Sequence, residues 1–278
     1  MESEVFRLNA QIELRHWWFV SRRTILHKLV RRVVAPSPQT LVVDVGCGTG
    51  GNLAALSADY ACLGIDPCAE AIELARQRFP QVRFVCGQAP GGLGTAAREA
   101  RLYLLTDVLE HVPDDRGLMT QLLAAASPGA YFLVTVPADM SLWSPHDVVH
   151  GHYRRYQREQ FADLWHDLPA ASRLVSYFNT RLYWPIRVVR AMTQWLGKSY
   201  GSAGTDLRMP WAPLNGLLKG IMAGEGRVLL DAMDGEQKHG FARGASLIAL
   251  VQKTEPATIE LRPRQTPDLS PFPNERAA

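Results

Sequence analysis

Cysteine is scarce in this chain, and its spacing excludes the usual frameworks. The 278 residues include four cysteines, Cys47, Cys62, Cys68 and Cys86, and no two of them form a C-x-x-C pair. Each lies within or beside an apolar, strand-like run, as small buried thiols do. We therefore expect buried free thiols and a cytoplasmic protein, rather than a secreted protein stabilised by disulfides.

Long apolar runs and a strong net charge are missing as well. The apolar runs are all too short for a membrane-spanning helix. Met1 is followed by acidic residues instead of a basic region and an apolar run, which argues against a secretory signal peptide. The formal net charge of +3 is too small to indicate nucleic-acid binding. We expect no nucleic-acid partner.

Apolar runs that alternate with helical patterns fill the first two thirds of the chain. This alternation predicts an α/β fold, because parallel strands joined by helices are buried on both faces. We predict a mostly parallel sheet of seven strands with helices on both faces. The predicted strands are 40–46, 61–66, 82–87, 100–109, 130–137, 173–179 and 244–253, and the helices between the first five are 52–58, 68–79 and 114–126.

Changes in composition divide the chain into parts. We predict an N-terminal helical lid at 1–36 and a main domain at 37–253. A helical cap of about 180–243 is inserted in that domain before its last strand, with helical patterns at 182–197 and 214–232. The tail at 254–278 holds five prolines and few apolar residues, which is typical of disorder.

The stretch "DVGCGTGG" at 44–51 follows the first strand and opens a helix, as ligand-binding glycine loops do. Its glycines fit both G-x-G-x-x-G and G-x-G-x-G, so they do not decide the ligand. Asp44 would repel the pyrophosphate of a dinucleotide, but it would attract the ammonium and sulfonium of S-adenosylmethionine. Asp66 ends the second strand at a spacing that suits ribose hydroxyls in either ligand class.

Four segments in order then resemble class I S-adenosylmethionine-dependent methyltransferases: "LVVDVGCGTG", "GIDPCAEAIELAR", "FVCGQA" and "LLTDVLEHV". The resemblance covers about 40–137 and implies a Rossmann-like sheet with S-adenosylmethionine as cofactor. Gln88 replaces an acid found in many relatives, and its amide oxygen can still accept a bond from adenine. The resemblance places Asp44, Gly46, Cys47, Gly48, Gly50, Asn52, Asp66, Pro67, Gln88, Ala89, Asp107 and Val108 at the cofactor.

The segment 137–161 follows the fifth strand at the edge where such sheets bind ligands. It is rich in histidine, the natural base near neutral pH. Our candidate catalytic residues are His111, His146, Asp147, His152 and Tyr156, and Trp143 and Arg155 are candidate acceptor contacts.

Other interpretations of these residues stay open. Asp107, Glu110 and His111 could form only a capped turn at a strand end. A metal could bind at D-x-x-E-H, a pattern that recurs in some magnesium-dependent relatives, or at His146-x-x-x-His150-x-His152. Our expectation is that no metal is bound.

The stretch "ELRHWWFVSRR" at 13–23 places three aromatic rings side by side on a predicted helix. Together with "GH-x-RRY" at 151–156, it is similar to one methyltransferase subgroup linked to glycans, lipid-linked sugars or natural products. We predict a lid whose contacts are His16, Trp17, Trp18, Phe19, Arg22 and Arg23. The alternative is an aromatic anchor that only packs.

The cap segment 182–197 has Trp184, Val188, Met192 and Trp195 at helical spacing, with basic residues on another face. Such a helix packs as a lid or dimer contact, or lies on a membrane surface. The oligomeric state is not predicted.

The expected function is transfer of a methyl group from S-adenosylmethionine to a small or lipid- or sugar-linked acceptor, at a hydroxyl oxygen. N- or C-methylation of a natural-product type of molecule is the alternative, although no N-P-P-Y tetrad of amino-methylating enzymes follows the fourth strand. A non-catalytic cofactor-binding protein and a peripheral membrane protein are further alternatives.

Overall fold

The computed structural model describes residues 3–196, 208–235 and 240–255. It contains one sheet of seven strands: β1 Ser37–Val45, β2 Tyr60–Asp66, β3 Arg83–Cys86, β4 Leu102–Thr106, β5 Tyr131–Pro137, β6 Ala170–Phe178 and β7 Ser246–Lys253. Their order across the sheet is β3-β2-β1-β4-β5-β7-β6. All pairs are parallel except those of β7, which runs antiparallel to β5 and β6. The predicted fold is confirmed.

Eleven helices within the described ranges surround this sheet. They are α1 Ser3–Ile12, α2 Trp17–Val33, α3 Gly51–Leu56, α4 Ala69–Arg78, α5 Ala96–Glu99, α6 Asp115–Ala125, α7 Pro145–His150, α8 Arg158–Ala162, α9 Tyr183–Leu196, α10 Ala212–Ala223 and α11 Glu225–Met233. Among these described helices, none is long and apolar enough to cross a membrane.

The central strands are buried on both faces, as their unbroken apolar sequences predict. In β4, Tyr103 and Leu105 belong to the core on one face of the sheet, and Leu102 and Leu104 belong to the core on the other. Successive side chains of a strand point to opposite faces, so a strand covered by helices on both sides needs apolar residues throughout.

β4 is shorter than its apolar pattern predicts, and it stops at Thr106 rather than at residue 109. The next residue, Asp107, has a φ of 58°, which ends the extended conformation. The chain then turns into a short 3-10 helix at Leu109–His111. This turn lies at the carboxyl edge of the sheet and carries the side chains of Asp107, Glu110 and His111.

The segment predicted as a lid forms two helices rather than one. The first turns of α2 cover the sheet edge, whereas Ile25 and Leu29, further along α2, are fully buried in the core below. Met222 of α10 and Leu229 of α11 belong to the same core cluster. The predicted cap helices therefore pack onto the N-terminal segment as well as over the sheet.

The prediction of four buried cysteines is wrong for most of them. All four are free thiols, but only Cys47 is buried, Cys62 and Cys68 are half-buried, and Cys86 is exposed. Cys86 ends β3, which lies at the edge of the sheet. The predicted tail from 254 onwards lies outside the described residues except for its first two.

Candidate active site

A cavity of about 1330 Å³ lies at the carboxyl edge of the parallel strands. The segments that follow β1, β2, β4 and β5 form one side of it, and residues of α1, α2, α9 and α10 cover it. It includes the point between β1 and β4 where the strand order reverses, which is the usual ligand site of such sheets. Pockets for one small ligand commonly measure about 300–1000 Å³, so this cavity has room for two ligands.

Most residues predicted for the site line this cavity. They are Gly46, Cys47, Gly48, Asn52, Asp66, Pro67, Gln88, Ala89, Asp107 and Val108 of the cofactor set, His111, His146 and His152 of the catalytic set, and His16, Trp17, Trp18, Phe19, Arg22 and Arg155 of the lid and acceptor set. Six other predicted residues do not line it: Asp44, Gly50, Arg23, Trp143, Asp147 and Tyr156.

Gly48 and Gly50 have different places in the glycine loop. Gly48 lines the cavity, and its φ of +50° is one that L side chains rarely adopt. Gly50 has a φ of +86°, and a Cβ there would lie 2.7 Å from the ring of Phe84. Gly50, which was predicted to lie at the cofactor, does not line the cavity, and its missing side chain lets the loop pack on β3.

Asp66 ends β2 and fixes the loop beside it. Its Oδ2 accepts from the backbone N–H of Gly48 at 3.0 Å, and its Oδ1 accepts from that of Cys68 at 2.8 Å. Burial raises its pKa, and these two backbone bonds oppose the rise. Each oxygen keeps a free lone pair for a hydroxyl donor at the cavity wall.

Asp44 is fully buried directly behind the glycine loop. Neither of its carboxylate oxygens has a short, well-aligned hydrogen bond among the described residues, although the Asn52 amide lies close enough to act on it as a weak donor. Burial raises its pKa to about 7, which the nearby Arg22 guanidinium and Asn52 amide oppose. Asp44 does not line the cavity, but a buried anion directly behind the loop favours a cationic ligand group over an anionic one on the other side of it. The site therefore fits a cofactor that carries an ammonium group.

Glu13, between α1 and α2, is a site residue that the sequence analysis did not identify. It is buried, it lines the cavity, and its Oε1 accepts from the hydroxyl of Thr49 at 2.7 Å. Arg78 forms an ion pair with the same carboxylate. These bonds join the N-terminal cover to the glycine loop. No local pattern signals them, because Glu13 and Thr49 are 36 residues apart.

Arg22 of α2 forms an ion pair with Asp107, which also accepts from the hydroxyl of Thr135 at 3.1 Å. The Arg22 guanidinium lies 5.7 Å from the ring centroids of both Trp18 and Phe19, within the range of cation–π attraction. The aromatic stretch and the strand-end acid are thus held together by one side chain.

The other residues of the predicted lid divide between the cavity and the core. His16 caps α2 by accepting from the backbone N–H of Trp18 at 3.3 Å, and its ring also lies 3.2 Å from the carbonyl oxygen of Arg208. Trp18 stacks on Phe178 with ring centroids 6.0 Å apart. Arg23, in contrast, does not line the cavity and donates to the backbone oxygen of Glu13 at 2.7 Å.

Histidines form a cluster at the far end of the cavity. The ring centroids of His111 and His152 are 4.7 Å apart, and those of His146 and His150 are 3.9 Å apart. Burial, with smaller contributions from His152 and His150, lowers the pKa of His111 to about 3. Burial also lowers the pKa of His146 and of His150. These imidazoles are neutral near pH 7 and can accept bonds.

Asp147 supports this cluster from behind. It is fully buried and accepts from His152 Nδ1 at 2.8 Å and from Arg155 Nε at 2.9 Å. Burial alone would raise its pKa, but the His152 bond and the Arg155 charge bring that pKa below its ordinary value. Asp147, which was predicted to be catalytic, does not line the cavity and lies behind His152, whose ring it orients.

Two more predicted site residues, Tyr156 and Trp143, do not line the cavity. Tyr156 is buried on the far side of its loop and donates to Asp115 at 2.7 Å. Trp143 follows a short 3-10 turn at Met140–Leu142 and does not line the cavity. Glu110, in contrast, does line it and is fully buried.

Comparison with known proteins agrees with this geometry. The methyltransferase-domain family model matches residues 15–184, which is more than half of the chain. A trans-aconitate 2-methyltransferase of Methylobacterium radiotolerans is 30% identical over 117 residues, 41% of this chain and 44% of that protein. One of Azoarcus is 32% identical over 123 residues, 43% and 47% of the two chains. The chain thus matches less than half the length of these curated relatives.

Solved structures share the fold at low identity. The plantazolicin methyltransferase BpumL in complex with SAH superposes with a TM-score of 0.53 at 14% identity, over 90% of each chain. The [4+2]-cyclase SpnF gives 0.51 at 15% identity, over 83% of this chain and 80% of that one. Their different reactions show that the fold alone does not determine the chemistry. On the match of its family model, supported by its sheet and its glycine loop, the chain belongs to the methyltransferase-domain family and has the class I S-adenosylmethionine-dependent methyltransferase fold.

Proposed function

We propose that this protein transfers the methyl group of S-adenosylmethionine to a hydroxyl oxygen of a small-molecule acceptor. The observation that carries the proposal is the single cavity that runs from the glycine loop and Asp66 to the histidine cluster. One end has the groups that a charged nucleoside cofactor needs, and the other end has neutral imidazoles beside an apolar wall. A volume of about 1330 Å³ accommodates both ligands together.

The cofactor end supports S-adenosylmethionine over a dinucleotide. Asp66 offers its oxygens to the ribose, and Gln88 and Ala89 line the neighbouring wall where the adenine would lie. The buried Asp44 carboxylate favours an ammonium and disfavours a pyrophosphate. Membership of the methyltransferase-domain family supports the same cofactor.

The acceptor end supports a hydroxyl more than a carboxylate. Four arginines line the cavity. Arg22 pairs with Asp107, and Arg155 and Arg190 share the carboxylate of Asp147, while Arg208 is the fourth. These two carboxylates offset part of the positive charge before an acceptor binds, so the preference for a hydroxyl rests mainly on the imidazoles and the apolar wall. Ile186, Val189, Leu214 and Leu218 of the cap contribute an apolar wall.

Methyl transfer requires the acceptor oxygen to lie in line with the sulfonium carbon, and this alignment can supply up to about 7–11 kcal/mol of the barrier. The cover formed by α1, α2 and the cap would exclude water from the reacting atoms. The imidazoles that line the acceptor end can accept a hydrogen bond from the acceptor hydroxyl and so orient it.

The exposed face of α9 supports an acceptor with a lipid portion. Trp184, Val188, Met192 and Trp195 are all more than half exposed, although cap helices usually bury such residues. Val189 on the same helix lines the cavity, so an apolar surface reaches its mouth. Liposome flotation of the wild type and of Trp184→Ser/Trp195→Ser tests this extension, which fails if both stay in the soluble fraction.

Two measurements test the main proposal. Titration calorimetry should show one S-adenosylmethionine site per chain, with binding lost in Asp66→Ala and kept in Asp167→Ala, whose carboxylate is exposed. A metabolite screen with methyl-labelled cofactor should then transfer label to hydroxylated compounds. No binding heat at millimolar cofactor rejects the cofactor assignment, and label only on amines or carboxylates rejects the hydroxyl assignment.

A further inference from the structure

Glu110, His111 and His152 bring three metal-ligating side chains to one place at the acceptor end of the cavity. One potential ligand atom from each lies within 4.8 Å of the other two. All three residues line the cavity, so a bound ion would be reachable by an acceptor. We expected no metal from the sequence, because the D-x-x-E-H segment is common in methyltransferases that bind none.

Glu110 gives the strongest reason to look for a cation. It is fully buried, and neither of its carboxylate oxygens has a hydrogen-bond partner within the described part of the chain. A buried carboxylate that is neither paired nor hydrogen-bonded is rare in proteins unless it coordinates a metal. Asp107, close by, is already paired with Arg22.

The two histidines are oriented as metal-ligating imidazoles usually are. Nδ1 of His152 donates to Asp147 at 2.8 Å, which leaves Nε2 as the free ligand atom. His111 hydrogen-bonds to the backbone of His150. Carboxylate and backbone partners of this kind fix the tautomer of a ligating histidine and strengthen it as a ligand.

A backbone hydrogen bond holds together the two segments that carry the three ligand residues. Glu110 and His111 belong to the 3-10 turn after β4, and His152 lies in the loop after α7. The backbone N–H of Tyr153 donates to the carbonyl oxygen of Glu110 at 2.8 Å, which joins the two segments directly beside the ligands. The site is therefore built by two segments far apart in sequence.

We propose that Glu110, His111 and His152 bind one divalent transition-metal ion, with Zn²⁺ and Co²⁺ preferred over Mg²⁺. Two imidazoles and one carboxylate suit such ions, whereas Mg²⁺ prefers oxygen ligands and water. Three protein ligands leave a coordination position open, as in catalytic zinc sites. Because all three residues line the cavity, a hydroxyl or carbonyl oxygen of the acceptor could occupy that position.

Metal binding is measured directly, so the result does not depend on the proposed methyl transfer. The full chain is stripped with a chelator and dialysed, and Zn²⁺, Co²⁺ or Mg²⁺ is titrated by calorimetry, with Co²⁺ also followed by visible absorption. We expect one Zn²⁺ and one Co²⁺ per chain, with Mg²⁺ at least 100-fold weaker. Equal binding of Mg²⁺, or no stoichiometric binding of Zn²⁺ and Co²⁺, overturns the proposal.

Matched variants test the ligand assignment. Glu110→Gln, His111→Gln and His152→Gln should each weaken Zn²⁺ at least tenfold and change the Co²⁺ spectrum, while His166→Gln, an exposed histidine outside the cavity, should change neither. Circular dichroism confirms that each variant is folded; if one ligand variant does not fold, the other two decide. Loss of binding in His146→Gln with wild-type binding in His111→Gln would place the ion on other histidines and overturn the assignment.

Discussion

Asp147 accepts a hydrogen bond from His152 at 2.8 Å and is closed off from the cavity that His152 lines. A buried acid thus orients a ring at the cavity without lining the cavity itself. Arg155 balances its charge through Nε at 2.9 Å and Nη2 at 3.0 Å. The three side chains form one unit, and removal of any member affects the other two.

Asp147→Asn should lower turnover strongly while cofactor affinity stays within about twofold. The amide removes the charge that holds Arg155, and breaking a buried pair commonly costs about 3–5 kcal/mol of unfolding free energy. Urea unfolding, SAH titration and single-turnover rates measure the three quantities. Asp167→Asn is the control, because its ion pair with Arg116 is exposed and should contribute less than about 1 kcal/mol. Equal turnover in Asp147→Asn and the wild type would mean that the orientation of His152 is unimportant.

Cofactor affinity should increase with pH up to about pH 7 and then level off. Asp44 has a pKa of about 7 in the ligand-free protein, raised mainly by burial, with Arg22, Asp66 and Glu13 as the charged groups around it. An ammonium ligand needs the ionised form, so binding below pH 7 must release a proton. Calorimetry at pH 6 in buffers of different ionisation enthalpy measures that proton, and Asp44→Asn should abolish it. Release of the same proton by Asp44→Asn would assign it to another group.

The stability of the ligand-free protein should decrease as pH rises, whereas the cofactor affinity should increase. Because the folded pKa of Asp44 is above its unfolded value of 3.8, the folded state binds the extra proton. Its stabilising contribution is complete below about pH 4 and is lost as pH rises through about 7. Asp44→Asn should flatten this part of the wild-type profile in thermal unfolding between pH 4 and 8. An unchanged slope contradicts the raised pKa.

Trp18→Ala should weaken cofactor binding about tenfold or more, because its ring lines the cavity and lies beside Arg22. It should also destabilise the protein, since the stacking on Phe178 is lost. Trp18→Phe is the matched control, because it keeps an aromatic ring at that position. Equal SAH affinity in the wild type and both variants would show that the aromatic stretch contributes only to packing.

Gly50→Ala should destabilise the fold more than Gly91→Ala. At Gly50, a φ of +86° and the Phe84 ring 2.7 Å from the new Cβ both oppose a side chain, whereas nothing lies within 4 Å of a Cβ at Gly91. We expect a loss of at least about 1 kcal/mol for Gly50→Ala and a change within about 0.5 kcal/mol for Gly91→Ala. Urea unfolding measures both values. A similar loss in both variants would show that steric conflict at Phe84 is not the cause.

The sequence predicted the parts of the site that depend on local geometry. Asp66 and the loop glycines act through the backbone immediately around them, so their spacing alone locates them at the sheet edge. The contacts of Glu13 with Thr49 and of Arg22 with Asp107 were not predictable, because 36 and 85 residues separate the partners. The exposure of Cys86 depends on the place of β3 at the edge of the sheet, which its own residues do not encode.

Hydrogen bonds near Trp17 join the N-terminal segment, which covers one part of the cavity, to α10 of the cap, which covers another. Asn215 of α10 accepts from the backbone N–H of Trp17 at 2.8 Å and donates to the carbonyl oxygen of Arg15 at 2.9 Å. The hydroxyl of Ser21 donates to the carbonyl oxygen of Lys219 at 3.1 Å. Outward movement of α2 would therefore have to break these hydrogen bonds or move α10 with it. For the two proposed ligands we therefore expect linked exchange, in which the size of the acceptor affects how fast spent cofactor leaves.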